Sequence, residues 1–392
     1  MKKKLNIGIV GSGFMGRAHS FAWKNVGRFF DTDYEPVLKA VAAESDLKSM
    51  ADAFAEKQGW EEVVLDWEAL VKRDDIDVID ICCPTWLHHD VFVAAAENGK
   101  HIFCEKPAAI SYKEAKEMAE AADKAGIVNY LNHNYRRVPA IAFAKKLIDE
   151  GRLGTIYHWR GAYLQDWVMS PDFPLTWHFQ IEKAGGGPHF DLNSHMVDLA
   201  RFLVGDVASV TGMNKTFIKE RPLPGMTAGT FSAGGDQSAS EKGPVTIDDA
   251  CFFVADFENG ALGSFDSTRF GSGRKNWNDF EIFGSKGGLK FNFEAMNELL
   301  FLDLEDPAEE QGYKRISVTT GAHPYAGAWW GPGHILGYEN TFFHAAYDFL
   351  NAIAEGTGVT PNLQDGAACI RILEAVVKSI KEKRVVEVSE IV

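Results

Sequence analysis

The segment LNIGIVGSGFMG, residues 5–16, joins an apolar strand to a glycine-rich turn and the start of a helix. In the pattern Gly-x-Gly-x-x-Gly, the first glycine permits a tight turn, the second lets the main chain approach a pyrophosphate, and the third packs the helix against the strand. The amino end of a helix also attracts phosphate groups. The pattern in this context predicts a dinucleotide-binding fold, and the alternative is a glycine-rich turn without a ligand. The residues predicted to contact the cofactor here are Gly11, Gly13, Phe14, Met15 and Gly16.

Strand and helix patterns alternate from this segment as far as residue 132. Apolar strands are predicted at residues 37–43, 76–83, 101–104 and 127–131, and near-continuous apolar strands are typical of a parallel sheet covered on both faces. The helices between them stop at Gly59 and Gly126, and Ser111 with Glu114 forms a capping box. The alternation predicts an NAD-binding Rossmann domain over residues 1–132.

An acidic residue, Glu44, follows the second predicted strand. A carboxylate at this position accepts hydrogen bonds from the ribose hydroxyls of NAD and repels the additional phosphate of NADP. Glu44 lies further from Gly16 than the usual spacing of about 20 residues, and the loop at residues 29–36 accounts for the additional length. We therefore predict NAD as the cofactor.

The tripeptide Glu105-Lys106-Pro107 ends the strand predicted at residues 101–104. Ligands of open α/β sheets bind at the carboxyl ends of the strands, so a lysine at this edge is a catalytic candidate. The alternative is that Lys106 is a solvated surface lysine, as most lysines are. The loop after the strand at residues 76–83 ends at the same edge. Further cofactor contacts are predicted from Pro84, Thr85, His88, Glu105 and Lys106.

The second part of the chain changes from alternation to mainly extended patterns. Pro139 begins a helix that ends near Gly151, and Asn259-Gly260 predicts an antiparallel hairpin of residues 250–257 and 262–270. Further strands are predicted near residues 282, 289, 300 and 316, helices at 338–354 and 365–381, and long loops at 221–244 and 320–337. The predicted fold class is α/β: an amino-terminal Rossmann domain followed, over residues 133–392, by an α+β domain with a large open, mostly antiparallel sheet.

The segment GGGPHFDLNSHMVD, residues 185–198, contains a second group of candidate catalytic residues. If a helix begins near Asp191, then Asp191, His195 and Asp198 share one face, which suits general base catalysis by an imidazole that a carboxylate orients. The glycines would let the main chain approach a ligand or the cofactor. Two alternatives remain open: His189, Asp191 and His195 could bind a metal, or Asp191 could cap the helix while His195 packs in the core.

Composition narrows the class of partner. The chain of 392 residues has a net charge of -15, which disfavours nucleic acids and anionic membranes, and no apolar stretch approaches the length of a membrane span. Its five cysteines form no spaced metal set and suit a reduced, cytoplasmic protein. We therefore expect a small-molecule partner and no metal.

Several motifs together resemble the glucose-fructose oxidoreductase / inositol dehydrogenase / rhizopine-catabolism (Gfo/Idh/MocA) family. They are GSGFMG, PTWLHH, EKP, NYRR, GGGPHFDLNSHMVD and GSKGG, which span most of the chain in the order typical of the family. Within the family, GFMGRAHS, CEKP, NYRRVPAIAFAKKLIDEG, YLQDW and FLVG are most similar to enzymes that oxidise levoglucosan, and inositol dehydrogenases come next. One departure is that Trp177 is followed by His178, where many members have arginine.

The resemblance implies NAD-dependent oxidation of a secondary hydroxyl of a sugar, a levoglucosan-like anhydrosugar or a cyclic polyol to the ketone. It implies a catalytic set of Lys106, Asp191 and His195, in which His195 takes the hydroxyl proton, Asp191 orients His195 or the substrate, and Lys106 stabilises the reacting oxygen. The alternatives are glycoside cleavage through transient oxidation and a non-catalytic NAD-sensing regulator.

The resemblance also extends the predicted site and implies a homodimer or homotetramer that forms through the sheet of the second domain. The additional cofactor contacts are Asn134, Arg136 and Trp177. The predicted substrate contacts are Lys106, Tyr135, Tyr163, Gln165, Asp166, Trp167, Asp191, His195 and His334.

Overall fold

A computed structural model of the chain describes residues 2–44, 47–223 and 241–392. Its strands are β1 Lys3–Val10, β2 Tyr34–Ala42, β3 Glu62–Val64, β4 Val78–Ile81, β5 His101–Cys104, β6 Asn129–Leu131, β7 Ile156–Leu164, β8 Val207–Lys215, β9 Glu220–Pro222, β10 Lys242–Pro244, β11 Ala250–Phe257, β12 Leu262–Thr268, β13 Trp277–Gly284, β14 Gly287–Asn292, β15 Glu298–Asp303, β16 Lys314–Ser317 and β17 Val386–Glu387. Its helices are α1 Phe14–Phe29, α2 Lys48–Gln58, α3 Trp67–Val71, α4 His88–Glu97, α5 Tyr112–Ala125, α6 Pro139–Asp149, α7 Ile181–Ala184, α8 Pro188–Asp191, α9 Asn193–Leu203, α10 Asn340–Glu355 and α11 Leu363–Glu382.

The first sheet has six strands in the order β3-β2-β1-β4-β5-β6, and every pairing in it is parallel. Strand β1 lies at the centre of the sheet. The chain first adds β2 and β3 on one side of β1 and then crosses over to add β4, β5 and β6 on the other side, which is the strand order of a Rossmann fold. Because all strands run the same way, the loops after β1, β2, β4 and β5 leave the sheet at one edge. This confirms the predicted fold of the amino-terminal part.

The helix caps in this part follow from the sequence. Gly59 and Gly126 both end their helices in the left-handed conformation, with φ of 88° and 64°, where glycine has no steric penalty. The Ser111 hydroxyl accepts a hydrogen bond from the Glu114 main chain, as predicted, but the Glu114 carboxylate accepts from Ile110 instead of completing the box at Ser111.

The first compact unit comprises Met1–Arg137 and Gly337–Ala368, so a carboxy-terminal segment returns to it. Helix α10 makes aromatic contacts with α1: Phe343 lies against Phe21 and Phe29, and Phe349 lies 6.0 Å from Trp23. The boundary predicted from the sequence, residue 132, differs from this division. The reason is that the apolar face of α10 covers α1, although residues 30–339 lie between the two helices in the sequence.

The second compact unit comprises Val138–Leu336 and Cys369–Val392 and contains a nine-stranded sheet. Its order is β16-β15-β14-β13-β7-β12-β11-β8-β17, and every pairing is antiparallel except that of β7 with β12. The predicted hairpin is confirmed, since β11 and β12 pair across Asn259-Gly260 and Gly260 has a φ of 87°. The large, open, mostly antiparallel sheet of the predicted fold class is thus confirmed.

The two faces of this sheet differ. Trp159, Phe265 and Phe280 are buried on one face, where Met196 of α9 packs so closely on Gly161 that a Cβ there would lie 2.5 Å from the Met196 methyl group. The opposite face, which we call the open face, presents alternate residues of the same strands, as a period of two requires. The open face includes Arg160, Ala162, Met213, Phe252, Val254, Leu262, Asp266 and Asp279.

Two further predictions concern loops and membranes. The ends of the loop predicted at residues 221–244 are strands β9 and β10, which pair antiparallel, so that prediction is corrected there; residues 224–240 lie outside the described residues. Residues 320–337 form a loop whose regular structure is the single 3₁₀ turn Ala326–Ala328. In the described parts of the chain, no helix combines the length and the apolar character needed to cross a bilayer.

Candidate active site

The three glycines of the first loop occupy three different environments. Gly11 has a φ of 109°, and a Cβ there would lie 2.6 Å from the Cys82 carbonyl, so the turn after β1 needs glycine to pass the end of β4. A Cβ on Gly16 would lie 2.4 Å from the Gly11 carbonyl oxygen. At Gly13, by contrast, a Cβ would meet no atom of the described residues within 4 Å. The loop therefore leaves space in front of the amino end of α1.

Helix α1 begins directly behind that space and is suited to an anion. Its first turn, from Phe14, contains no acidic residue. The capping residue is Gly13, so no capping side chain accepts hydrogen bonds from the first main-chain N–H groups. The partial positive charge of a helix amino end is thus available to a phosphate. Phe14 is partly exposed and stacks at 6.3 Å on Tyr338, while Met15 is half-buried.

Four further predicted cofactor residues of the first unit follow β2 and β4. Glu44 is exposed two residues beyond β2, at the expected edge of the sheet, and Pro84 and Thr85 lead into α4. His88 is buried, with Nδ1 3.0 Å from the Pro107 carbonyl and Nε2 2.9 Å from the Cys83 carbonyl. Burial lowers the pKa of His88, an effect that these carbonyls partly oppose. His88 therefore ties together the two loops that follow β4 and β5.

Lys106 follows β5 and is half-buried, and its main-chain N–H donates to Glu105 Oε2 at 3.1 Å. Glu105 is buried and accepts further hydrogen bonds at Oε1 from His19 Nε2, at 2.8 Å, and from Asn132 Nδ2, at 2.6 Å. Burial raises the pKa of Glu105, but these donors and the nearby cations outweigh it, so its pKa lies below the usual range. The carboxylate that adjoins Lys106 is thus held ionised.

The NYRR motif forms a 3₁₀ turn, Asn134–Arg137, whose side chains are buried. Asn134 Nδ2 donates to Thr341 Oγ1 at 2.8 Å, and Arg136 Nη2 lies 3.4 Å from Asp365 Oδ1. Both partners belong to the segment that returns to the first unit. Asn134 and Arg136, predicted to contact the cofactor, are thereby fixed against that segment, and Tyr135 is 4% exposed.

The helix expected to begin near Asp191 differs from the prediction. Asp191 is the last residue of the short helix α8, and α9 starts at Asn193 after a break at Leu192. The residue at the amino cap of α9 is Leu192, which makes no side-chain cap, so the alternative in which Asp191 caps the helix is wrong. The Asp191 carboxylate instead pairs with Arg269.

The glycine run before Asp191 has a partner within the second unit. The Asp248 carboxylate accepts hydrogen bonds from the main chain of Gly187, at 2.8 Å, and of His189, at 3.0 Å. A Cβ on Gly187 would lie 1.9 Å from the Asp248 carbonyl oxygen. The expectation that this glycine approaches a ligand is therefore corrected, because the close approach is to the Asp248 main chain. His189 lies against the Leu373 carbonyl and Asn193.

His195 lies in α9 and is 4% exposed, so its ring packs inside the unit. The Tyr163 ring approaches it edge-on at 5.8 Å. Tyr163 Oη donates to Asn276 Oδ1 at 2.6 Å, and the Gln165 amide donates to the same oxygen at 3.2 Å. Trp167 Nε1 donates in turn to Gln165 Oε1 at 2.8 Å. Three predicted substrate residues and His195 thus form one connected group through Asn276.

The remaining predicted residues of the second unit have separate neighbours. Asp166 forms an ion pair with Lys275 at 2.8 Å, and this contact is the main reason that its pKa is lowered. Trp177 stacks on His178 with ring centroids 3.8 Å apart. His334 is exposed in the loop at residues 320–337, where Nδ1 lies 2.9 Å from the Gly331 carbonyl oxygen. The His178 ring also lies edge-on to Trp167 at 6.2 Å, so Trp177 adjoins the Asn276 group through His178.

Sequence reasoning missed Arg269 and His19, which are both nearly fully buried. Arg269 continues the alternation of the buried residues Phe265 and Ser267 in β12, so a charged residue in a buried register was the available signal. His19 shares the buried face of α1 with Trp23 and is likewise a polar residue in an apolar pattern.

Comparison with known proteins gives matches over most of the chain. The protein-family model described as an oxidoreductase family with an NAD-binding Rossmann fold matches residues 5–133. The family model described as the GFO/IDH/MocA C-terminal domain matches residues 141–290. The levoglucosan dehydrogenase of Pseudarthrobacter phenanthrenivorans is 41% identical over 392 residues, which cover 99% of each chain.

Solved structures agree with these matches. The crystal structure of an oxidoreductase domain protein from Kribbella flavida has a TM-score of 0.92 and 44% identity, covering 99% of this chain and 100% of that one. A levoglucosan dehydrogenase in complex with NADH and levoglucosan has a TM-score of 0.91 and 40% identity, covering 98% and 99%. The predicted family, fold class, enzyme class and NAD cofactor are confirmed. This chain belongs to the Gfo/Idh/MocA family of NAD-binding oxidoreductases.

Proposed function

We propose that this NAD-dependent sugar or polyol dehydrogenase oxidises a secondary ring hydroxyl of levoglucosan or a similar anhydrosugar to the ketone. The observation that supports this most is the group around His195, in which uncharged hydrogen-bonding side chains and aromatic rings lie beside one imidazole. Such a surface suits a neutral polyhydroxylated ring, which offers apolar faces and hydroxyl edges. The relative that is 41% identical over the whole chain is a levoglucosan dehydrogenase.

The residues of the first loop fit a dinucleotide. The open space at Gly13 and the uncapped, acid-free start of α1 match the needs of a pyrophosphate, and exposed Glu44 matches those of a ribose diol. When bound, NAD accepts a hydride from the carbon that bears the reacting hydroxyl.

The protein's own groups would manage the proton and the charge on oxygen. His195 would accept the hydroxyl proton, since a neutral imidazole is a suitable base near neutral pH. Lys106 would donate a hydrogen bond to the same oxygen as negative charge develops there. Asp191, which pairs with Arg269, would accept a hydrogen bond from the substrate and so fix the ring.

Charge favours neutral substrates over carboxylates. The net charge of -15 repels anions at long range. Arg269 is a buried cation that pairs with Asp191, and that carboxylate already compensates its charge. The Arg269 guanidinium is therefore already paired and not available to clamp a substrate carboxylate, so 2-hydroxy acids should be poor substrates.

The cellular setting and assembly are part of the same proposal. The reduced cysteines, of which four are buried, suit a cytoplasmic enzyme. The open face carries exposed apolar side chains at Met213, Phe252, Val254 and Leu262, which suit a homodimer or homotetramer formed through this sheet. The first unit would bind NAD, and the second would bind the sugar.

The proposal is tested by following NADH absorbance with levoglucosan, inositols, glucose, other aldopyranoses and 2-hydroxy acids. We expect levoglucosan or another anhydrosugar to give the highest kcat/KM. The variants Lys106→Ala and His195→Ala should lose about 10² to 10⁴ in kcat while still binding NAD. Asp191→Asn should lower kcat/KM in the same assay.

The alternatives give different results in this assay. A clear lead for an inositol would make the chain an inositol dehydrogenase with the same mechanism. Release of an aglycone from a glycoside without net NADH would indicate cleavage through transient oxidation. Binding of NAD with no turnover of any polyol would favour a sensor, and a preference for 2-hydroxy acids would reject the proposed substrate class.

A further inference from the structure

A buried cluster of polar groups lies beneath Lys106 in the first unit. Its centre is His19, which is 1% exposed and is contributed by α1. His19 Nδ1 lies 2.8 Å from Asp80 Oδ1, and Nε2 lies 2.8 Å from Glu105 Oε1. The two carboxylates come from β4 and from the residue after β5, and Asp80 is completely buried.

The two carboxylates favour a doubly protonated His19 ring. An ionised carboxylate only accepts hydrogen bonds, so both ring nitrogens must donate, and only the imidazolium carries two N–H groups. Burial opposes this charge, but the charges and hydrogen bonds of Asp80 and Glu105 outweigh it and raise the pKa of His19 to about 10. The ring should therefore remain a cation throughout the physiological range.

Uncharged donors make the remaining hydrogen bonds to the two carboxylates. Trp23 Nε1 donates to Asp80 Oδ2 at 2.7 Å, and Asn132 Nδ2 donates to Glu105 Oε1 at 2.6 Å. The fourth carboxylate oxygen, Glu105 Oε2, accepts from the Lys106 main chain. A buried ion pair of this kind is tolerated only when its members are fully hydrogen-bonded. The cluster is thus a rigid support, and the hydrogen bond from the Lys106 main chain to Glu105 connects it to Lys106.

The charges in the cluster do not cancel without Lys106. Two carboxylates and one imidazolium sum to -1, and the Lys106 ammonium brings the sum to zero. Three further titratable groups of the described residues adjoin the cluster, and burial keeps each of them neutral. It raises the pKa of the Cys82 thiol, 3.2 Å from His19 Nδ1, and of the Cys104 thiol well above their ordinary values, and it lowers the pKa of His88. The other elements packed on the ring contribute Phe103 and Phe342, which are uncharged.

The donor atoms of His19, Asp80 and Cys82 also lie within 4.8 Å of one another, a spacing that a metal ion could use. Two features favour a proton instead. A separation of 2.8 Å between Nδ1 and Oδ1 is that of a hydrogen bond. A metal would also need the Cys82 thiolate, and its raised pKa disfavours that form.

We propose that His19 is a positioning residue that acts as a constitutive cation: it fixes Glu105, which in turn holds the Lys106 main chain and balances the Lys106 ammonium. The inference rests on the catalytic role proposed above for Lys106. A support of this kind matters because a displacement of about 1 Å at a catalytic group can cost about a hundredfold in rate.

The first test is the variant His19→Gln, which keeps a hydrogen-bond donor and removes the charge. We expect kcat with levoglucosan to fall by about ten- to a hundredfold, while the KM for NAD changes by less than about threefold because the glycine loop is untouched. Ser20→Ala is the matched control: Ser20 is buried beside His19 in α1, accepts from Trp60 and donates to the Gly16 carbonyl oxygen, so its loss removes two buried hydrogen bonds without changing the charge of the cluster.

The pH dependence separates positioning from general loss of stability. Without the imidazolium, two buried carboxylates face each other, so the pKa of Glu105 should rise and the variant should bind a proton near neutrality. Its kcat should therefore increase with pH along a new acid limb that the wild type lacks. The double variant His19→Gln/Glu105→Gln should lose that limb, since the titrating group is gone. A uniform loss of kcat with the wild-type pH profile would overturn the inference.

A direct observation of the ring adds a test independent of activity. In wild-type protein with ¹⁵N-labelled histidine, one buried imidazole should keep both N–H signals from pH 6 to 9, and that signal should be absent from His19→Gln. Titration of that ring near pH 6.5 would overturn the inference. If Lys106→Ala retains wild-type turnover, the proposed catalytic set fails instead; if Lys106→Ala is inactive and His19→Gln behaves like the wild type, only the role of His19 fails.

Discussion

Asp191 Oδ2 and Arg269 Nη2 lie 2.7 Å apart although 78 residues separate them in the sequence. The Arg269 side chain is 2% exposed and that of Asp191 is 34% exposed, so the cation lies behind the carboxylate and leaves it accessible. The guanidinium also lies over the Trp167 ring at 5.4 Å. Arg269 thereby links a proposed catalytic carboxylate to a proposed substrate-binding aromatic ring.

Arg269→Gln should therefore impair use of the sugar more than binding of the cofactor. Without its cation, Asp191 can rotate toward water, and we expect kcat/KM for levoglucosan to fall by about ten- to a hundredfold. Arg269→Lys should be intermediate, because lysine keeps the charge without the planar fork. Arg274→Gln, an exposed arginine stacked on Trp277, is the control. Wild-type kcat/KM in a folded Arg269→Gln protein would contradict this role.

Glu44 should determine the preference for NAD over NADP. Its exposed carboxylate follows β2, where it would accept hydrogen bonds from a ribose and repel a 2′-phosphate. Glu44→Ser should raise the KM for NAD and reduce the preference in kcat/KM by about tenfold, the loss expected for a hydrogen bond to a charged group. Glu97→Gln, an exposed acid at the end of α4, should leave both values unchanged. Better use of NADP than NAD by the wild type would refute the assignment.

Two aspartates on the open face should make stability decrease with rising pH. Burial is the main cause that raises the pKa of both Asp266 and Asp279 to about 6. In the unfolded chain these carboxyl groups have an ordinary pKa of about 3.9, so they lose their protons at a lower pH than in the folded protein. The free energy of unfolding therefore decreases as pH rises from about 4 to 6, and this loss of stability persists at higher pH. Asp266→Asn should thus raise Tm more at pH 8 than at pH 4.5. An equal gain at both values would contradict the prediction, and exposed Asp33→Asn is the control.

The open face should also determine the oligomeric state. Val254, which is 56% exposed, lies beside Phe252 and Met213 on this face. A charge placed at Val254 would remain desolvated in an interface, so Val254→Asp should convert a dimer or tetramer to smaller species in light scattering after gel filtration. Met50→Asp, at a similarly exposed position of α2, should not. An unchanged mass for Val254→Asp would exclude this part of the face from the interface.

Local patterns were sufficient to predict most of the fold. The Gly-x-Gly-x-x-Gly loop, the apolar strands and the hairpin at Asn259-Gly260 are each encoded by neighbouring residues, so their periodicity and turn chemistry survive in the structure. The break at Leu192 was missed because Pro188 to Leu203 has continuous helical character in the sequence. A close approach of Gly187 to Asp248 is a tertiary constraint that no local pattern records.

The candidate site was predicted less completely for a related reason. Lys106, Asp191 and His195 stand in motifs that are short and continuous, so they could be recognised. His19 of α1, Asp80 of β4 and Glu105, which directly follows β5, meet only because β1, β4 and β5 are parallel neighbours, with α1 packed against them. Arg269 reaches Asp191 from a different strand. Such pairs arise from the topology, and a single sequence shows only their polar members in apolar surroundings.

The return of Gly337–Ala368 to the first unit bears on how the protein is made. On the ribosome, β1 to β6 emerge before α10, which covers α1 and follows only after residues 138–336. At about 5–20 residues per second, this delay lasts on the order of tens of seconds. During that time the aromatic side chains of α1, including Phe21, Phe29 and Trp23, lack their contacts with α10. The nascent amino-terminal part is therefore where we would expect dependence on chaperones and sensitivity to translation rate to be greatest.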